Sequence, residues 1–290
     1  MTLMDQPISA RASHYSGLRT LRVAYTNDSD DAFNFYAWEH GHVELEGFAP
    51  RFERSHIIHL NRAALAGVHD VTNISSATYP ALVEQYYVLA VGTSIGRGYG
   101  PVLVSKDYSR LDELRGKRVA VGGFTTTGAA LAEMYCPGIR LEEFPYDQIA
   151  DAILAGRFDA GVMIHEELLF YPNKGLQRVA DLGATWCEQT GLPLTVGLNV
   201  VHRRHGRDTA IEIARTCRDS LRWAQQHPDE AIPFANQFGR GCARDFVKMF
   251  SNSDTLCMPE DARRGMRAFF DRLAETGLAR KINQIEVIDA

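Results

Sequence analysis

Leu21-Arg-Val-Ala-Tyr-Thr-Asn-Asp-Ser-Asp-Asp-Ala-Phe-Asn-Phe-Tyr-Ala-Trp38 carries two periodicities in one short run. Leu21 to Tyr25 alternates as a strand does. After the polar stretch 26–31, the aromatic spacing of Phe33, Phe35, Tyr36 and Trp38 suits the buried face of a helix. The next sixty residues continue in the manner of this β-α unit. Residues 53–60 read as a strand, 62–66 as a short helix, 70–74 as a strand and 79–86 as a helix. Such alternation points to parallel sheets.

From about 101 to 200 the pattern repeats, with strands at 101–105, 118–121 and 160–164, and helices at 127–135 and 146–155. A strand over 194–201 leads back. The segments 208–227, 228–238 and 259–276 are helical in period, with Pro228, Pro233 and Pro259 near helix starts. The order predicts an α/β chain of two lobes. Residues 18–103 with 200–290 form one lobe, 104–199 form an inserted lobe, and 1–17 are a loosely held arm. Loops of both lobes would then surround a shared cleft, a favoured place for a small molecule.

Composition agrees with a globular chain: 290 residues, 45% hydrophobic, 23% charged, net charge −5. No basic tract is dense enough to track phosphates, so no nucleic-acid partner is expected; the densest, His202-Arg203-Arg204-His205, reads as a solvated turn. The N-terminal residues lack the apolar stretch of an export signal, and nowhere do 18 apolar residues run together, so neither export nor a membrane partner is expected. Five cysteines without Cys-x-x-Cys spacing argue against a disulfide framework or a thiolate metal site and fit a reducing cytoplasm.

Four segments are candidates for chemistry. Gly92-Thr-Ser-Ile-Gly96 matches the G-x-S-x-G nucleophile elbow, but Gly96-Arg97-Gly98-Tyr99-Gly100-Pro101 cannot begin the helix that motif requires. His165-Glu166 follows an apolar strand, where the carboxyl ends of strands meet a cleft. With Leu169 in place of a second histidine it is no zinc motif. Two readings of His165 stand: a general base, since imidazole accepts and returns protons near neutral pH, or a structural cap. Gly122 to Gly128 brings Thr126, Thr127 and backbone N–H groups to a helix start, which makes either an anion site or a plain N-cap. Asn73, Ile74 and Ser75 form a similar polar strand end in the first lobe.

Asp70-Val-Thr-Asn-Ile-Ser-Ser-Ala-Thr-Tyr-Pro80, Gly96-Arg-Gly-Tyr-Gly-Pro-Val-Leu-Val-Ser105, Phe158-Asp-Ala-Gly-Val-Met-Ile-His-Glu166, and Asp181-Leu-Gly with Thr190-Gly-Leu-Pro-Leu194 together resemble the 1,4-dihydroxy-6-naphthoate synthase family of the futalosine route to menaquinone. The resemblance implies a two-lobed periplasmic-binding-protein-like (type II) fold. It also implies a lyase reaction without metal or organic cofactor on a small carboxylate, cyclic de-hypoxanthine futalosine. By resemblance His165 is the proton acceptor, and Asn73, Ile74, Ser75, Thr126, Thr127 and Gly128 fall on substrate-contact stretches, joined by Asp31 and Arg97.

The chain also departs from the family pattern. The usual Ser-Pro-Cys-Pro-Asn-Asp-Thr-Phe is Thr26-Asn-Asp-Ser-Asp-Asp-Ala-Phe33 here, a lysine common at the Asn73 position is absent, and the usual Ser-Arg after His165-Glu166 is Glu167-Leu168. Each charge-assisted hydrogen bond lost with those cations is worth about 1.5–3 kcal/mol. The alternatives are therefore a paralogous lyase for a different small carboxylate, and a non-catalytic solute-binding protein.

Overall fold

A computed structural model describes residues 17–241 and 243–290; the arm expected over 1–17 lies outside the described residues save for Gly17. β1 (Arg19–Thr26) alternates until its last four residues, which are all buried, and α1 (Ser29–Glu39) follows at once. Ten of the eleven residues of α1 are buried, as expected of a helix packed on both sides. Next come β2 (Phe48–Ser55), α2 (Ile57–Leu65), β3 (Val71–Ser75), β4 (Tyr86–Leu89) and β5 (Ser94–Gly96). The second group contains β6 (Val102–Ser105), β7 (Arg118–Val121), α3 (Thr127–Tyr135), β8 (Arg140–Glu143), α4 (Ile149–Leu154), β9 (Ala160–Met163), α5 (Glu167–Phe170), β10 (Gln177–Asp181) and α6 (Leu182–Thr190). The chain then returns through β11 (Leu194–His202), α7 (Gly206–Gln226), α8 (Pro228–Ala235), α9 (Ala243–Phe250), α10 (Ser253–Leu256), α11 (Glu260–Glu275) and β12 (Val287–Ile288).

The strands divide into two sheets, ordered β12-β4-β11-β3-β1-β2 with β5 on β11, and β10-β6-β9-β7-β8. The chain changes sheet between Gly96 and Val102 and returns between Asp181 and Leu194. Divisions at 103/104 and 199/200 would cut β6 and β11, so the crossings lie a few residues earlier. The two crossings touch: a Cβ on Gly100 would stand 2.9 Å from Gly183 Cα, and one on Gly183 would stand 2.3 Å from Tyr99 O. Close approach of the two backbones requires Gly100, while Gly98 takes a left-handed φ of 80° and a Cβ on Gly96 would stand 2.0 Å from Tyr99 O of its own loop. Ser94, the serine of G-x-S-x-G, sits on β5 with bends after it and no helix.

Both sheets are mixed, which corrects the expectation of parallel ones. β1, β2 and β3, and likewise β7, β8 and β9, run parallel, each joined by a helical crossover. Against them, β11 runs antiparallel to β3, β4 and β5, and β6 antiparallel to β9 and β10. β6 and β11 are the first strands after a crossing, so no helix dictates their direction.

Two local readings also change. The strand expected at 53–60 ends at Ser55, because Ile57, Leu60, Asn61 and Ala64 bury one helical face of α2. The helix expected at 79–86 is a 3-10 turn, Ser76–Ala81, followed by β4; Pro80 has no N–H with which to continue an α-helix. No described helix is long and apolar enough to cross a membrane.

Candidate active site

The carboxyl ends of β1, β3 and β9 converge with the N-terminus of α3 on a cavity of about 80 Å³, several times the roughly 10–15 Å³ that one water needs on this measure. The first lobe contributes Thr26, Asp30 and Asp31 from the β1–α1 junction, and Asn73, Ile74 and Ser75 from β3. The inserted lobe contributes Thr126, Thr127, Gly128, Ile164 and His165, while Phe246 and Phe250 of α9 supply an aromatic wall. Among the described residues, no lysine or arginine lines it.

His165 has φ 55°, the only positive φ of a described residue other than glycine. A left-handed backbone is uncommon for a residue with a Cβ and persists where its surroundings enforce it. The ring's Nδ1 lies 2.6 Å from Asp28 Oδ2, whose side chain is 2% exposed. This is an ion-pair contact off the axis of a hydrogen bond, since no donor is aligned on that oxygen. Tyr146 donates to the other Asp28 oxygen at 3.4 Å and lies 4.8 Å from the imidazole, centroid to centroid. Burial pushes the His165 pKa down, but the Asp28 carboxylate outweighs it and holds the imidazole above its ordinary value. Burial acts on Asp28 in the opposite sense, and His165 keeps that carboxyl below its usual range. With Nδ1 turned to Asp28, Nε2 is the nitrogen left for a bound molecule.

Asp31 accepts from Thr26 Oγ1 at 2.5 Å and from Asn73 Nδ2 at 3.1 Å, and burial raises its carboxyl to about 6. Asn73 also donates to Asn199, while its own Oδ1 is buried without a partner. Asn61 holds Ser75 through its backbone N–H (2.9 Å) and its hydroxyl (3.1 Å). The two threonines at the helix start are more engaged than an open anion site requires. Thr126 caps α3 by accepting from Ala129 N at 3.2 Å, and Thr127 donates to Val196 O at 2.7 Å across the lobes. The N–H groups of Thr127 and Gly128 in the first turn remain without intrahelical acceptors. Gly128 itself is dictated by packing, since a Cβ there would stand 2.9 Å from Val162.

Arg97 is the exception among the expected contacts. Its guanidinium is half exposed outside the cavity, where Asp254 (2.5 Å) and Asp261 (2.7 Å) hold it. Both carboxylates come from the first lobe's own C-terminal helices and hold the guanidinium away from the cleft. Glu166 and Glu167 also turn away from the cavity. Glu166 accepts from Ser29 Oγ and from the Arg240 backbone N–H, and Glu167 pairs with Arg240 Nε at 2.6 Å. With Asp28, His56 and Tyr146 they line a second, outer cavity.

Asp28, Asp30, Tyr146 and Arg240 were not singled out by the sequence. A signal did exist for the first two: three acids within four residues, placed where a strand end meets a buried helix, are dense for a segment that must be desolvated.

Two mixed sheets, two crossings and a cavity between them define the class: a two-lobed α/β protein of the periplasmic-binding-protein-like fold. The same fold is seen in the alkanesulfonate-binding protein SsuA from Xanthomonas axonopodis pv. citri, with TM-score 0.70 and 14% identity over 95% of this chain and all of that one. Within that class the chain belongs to the menaquinone biosynthesis family, whose model matches residues 21–275. It is 34% identical over 270 residues to the 1,4-dihydroxy-6-naphtoate synthase of Thermus thermophilus, covering 90% of this chain and 97% of that one. It is 31% identical over 271 residues to the enzyme of the same name from Streptomyces coelicolor, covering 89% and 94%. Protein AF1704 from Archaeoglobus fulgidus, a solved structure, superposes with TM-score 0.85 at 38% identity, covering 89% of this chain and 98% of that one.

Proposed function

We propose that this protein is a cofactor-independent lyase that converts cyclic de-hypoxanthine futalosine to 1,4-dihydroxy-6-naphthoate, with His165 as the general base. The observation that carries this reading is the position of His165: at the carboxyl end of β9, facing the cavity, with Nδ1 against a buried carboxylate. Asp28 favours the imidazolium that forms when Nε2 takes a proton from carbon, so it makes the ring a stronger base. Loss of that proton beside an electron-withdrawing group lets the substrate ring open and aromatise as a small fragment leaves. The substrate carboxylate would rest against the N–H groups of Thr127 and Gly128 at the start of α3. Among the described residues no arginine or lysine lines the cavity, so helix dipole and backbone donors would hold the acid where the family pattern has cations. Isolation in the cleft orients the carbon to be deprotonated.

Incubating the pure protein with cyclic de-hypoxanthine futalosine and measuring naphthoate formation by absorbance tests the proposal. Product formation that depends on His165 is expected. The absence of turnover at high enzyme concentration would remove the substrate assignment while leaving the fold and family in place.

A further inference from the structure

Three carboxyl groups meet at the β1–α1 junction, and two of them are already committed. Asp28 faces His165 and Tyr146. Asp31 has both oxygens occupied, by Thr26 and by Asn73. Asp30 differs from both: its side chain lines the cavity, the residue is 6% exposed, and no described side chain hydrogen bonds or pairs with it. The charged groups that act on it most are the carboxyls of Asp31, Asp28 and Glu166, opposed by a backbone N–H of Asp31. His165, which becomes a cation only when it takes a proton, is held against Asp28.

A carboxylate in such a place would be desolvated among like charges without a counter-ion, the arrangement that most disfavours the ionised form. Burial first, and then Asp31 and Asp28, hold the Asp30 carboxyl well above the usual carboxylate range. We propose that Asp30 presents a neutral carboxylic acid to the cavity and donates its O–H to a carbonyl oxygen of the bound substrate.

This rests on the lyase reading and gives it a second participant. When His165 Nε2 takes the proton from carbon, the electron pair of the broken C–H bond moves onto the adjacent carbonyl oxygen, and the Asp30 O–H hydrogen bonds to the oxyanion as it forms. Its proton need not transfer, and atoms and charge balance within substrate and imidazole. A fixed donor in a water-poor site acts on the transition state more than on the ground state. Such a donor suits one class of substrate: a molecule with a carbonyl, or another acceptor oxygen able to take negative charge, next to the carbon that loses its proton.

The decisive experiment begins with the full chain alone. Infrared difference spectra of the wild type against Asp30→Asn at pH 7 should show the C=O stretch of a protonated carboxyl, well above the carboxylate bands, that is missing in the variant and shifts in D₂O. If that band is absent, Asp30 is ionised and the proposal is overturned, whether or not the protein makes naphthoate. Kinetics then test the donor. Loss of one oxyanion donor costs about 10²–10³ in kcat, so Asp30→Ala should fall by that order with little change in KM, and Asp30→Asn should recover most of the loss through its amide N–H. An Asn variant no better than Ala, in proteins with unchanged melting curves, would overturn the donor role. A wild type with the band but without turnover would refute the naphthoate assignment and leave the state of Asp30 established.

Discussion

Two pairs of consecutive acidic residues lie near His165, and the fold treats them in opposite ways. Glu166 and Glu167, in the inserted lobe, are met from the other lobe by Arg240 and Ser29. Asp30 and Asp31, on the first turn of α1, have only the neutral partners Thr26 and Asn73, and those serve Asp31 alone. One pair fastens the lobes together at the outer cavity, while the other faces the inner one. Acidic sequence therefore says little about an acid's part in the fold: neighbouring acids clamp two lobes where Arg240 and Ser29 reach them and line a cavity where only neutral side chains do. His165 stands between them, and Asp28 is the carboxyl that decides its state.

The largest effect should come from His165 itself. His165→Ala is expected to lower kcat by about 10²–10⁴, the usual range for a general base, and to lower the melting temperature as well while the protein still folds, because Asp28 is left buried without its partner. Activity within a few-fold of wild type would leave the residue a structural cap and make the carboxyls the agents of chemistry. In the wild type only the neutral imidazole accepts a proton. Since Asp28 holds the His165 pKa above 6.5, the rate should fall as pH drops through a value above 6.5.

Asp28→Asn sharpens the contrast between the paired and unpaired acids. Without the carboxylate, burial is the main remaining influence, and it lowers the imidazole pKa. The acidic limb of the pH–rate profile should move to lower pH, while the plateau rate drops by about tenfold or more because the base is weaker. A pH–rate profile that keeps its limb in place would show that Asp28 does not control the titrating group.

Arg240 tests the other side. Arg240→Ala leaves Glu167 buried without its cation; since the arginine is 40% exposed, solvent screening limits the expected loss to about 1 kcal/mol, or roughly 2–4 °C in melting temperature. Glu167→Gln in the same chain should restore part of it, because the stranded charge is then gone. Additive effects of the two substitutions would mean that the pair does not act as a clamp.

The legibility of these features in the sequence depends on their range along the chain. Helix α3 was readable to the residue over 127–135, because Thr126 supplies the cap and the alanines after it supply the propensity. The mixed sheets were not, since the direction of β6 and β11 is set by two crossings whose contact, Gly100 against Gly183, is tertiary. His165 could be found from the apolar strand before it. That Asp28 is its partner could not be, because nothing local couples a loop after β1 to the end of β9. Arg240 sits in a short stretch without period between α8 and α9, where no sequence rule points toward Glu167.

The smallest effect belongs to Arg97, and it bears directly on whether a cation serves the cavity. Arg97 is 45% exposed and held by Asp254 and Asp261, so Arg97→Ala should cost no more than about 0.2–1 kcal/mol of stability, the range of exposed pairs. With the guanidinium outside the cavity, KM for the carboxylate substrate should stay within about twofold of wild type. If Arg97 instead swung in to hold that carboxylate, losing a charge-assisted hydrogen bond of about 1.5–3 kcal/mol would raise KM by roughly 10- to 150-fold. Measuring KM for this one variant therefore decides whether the cavity works on backbone donors and neutral acids or borrows a charge from its rim.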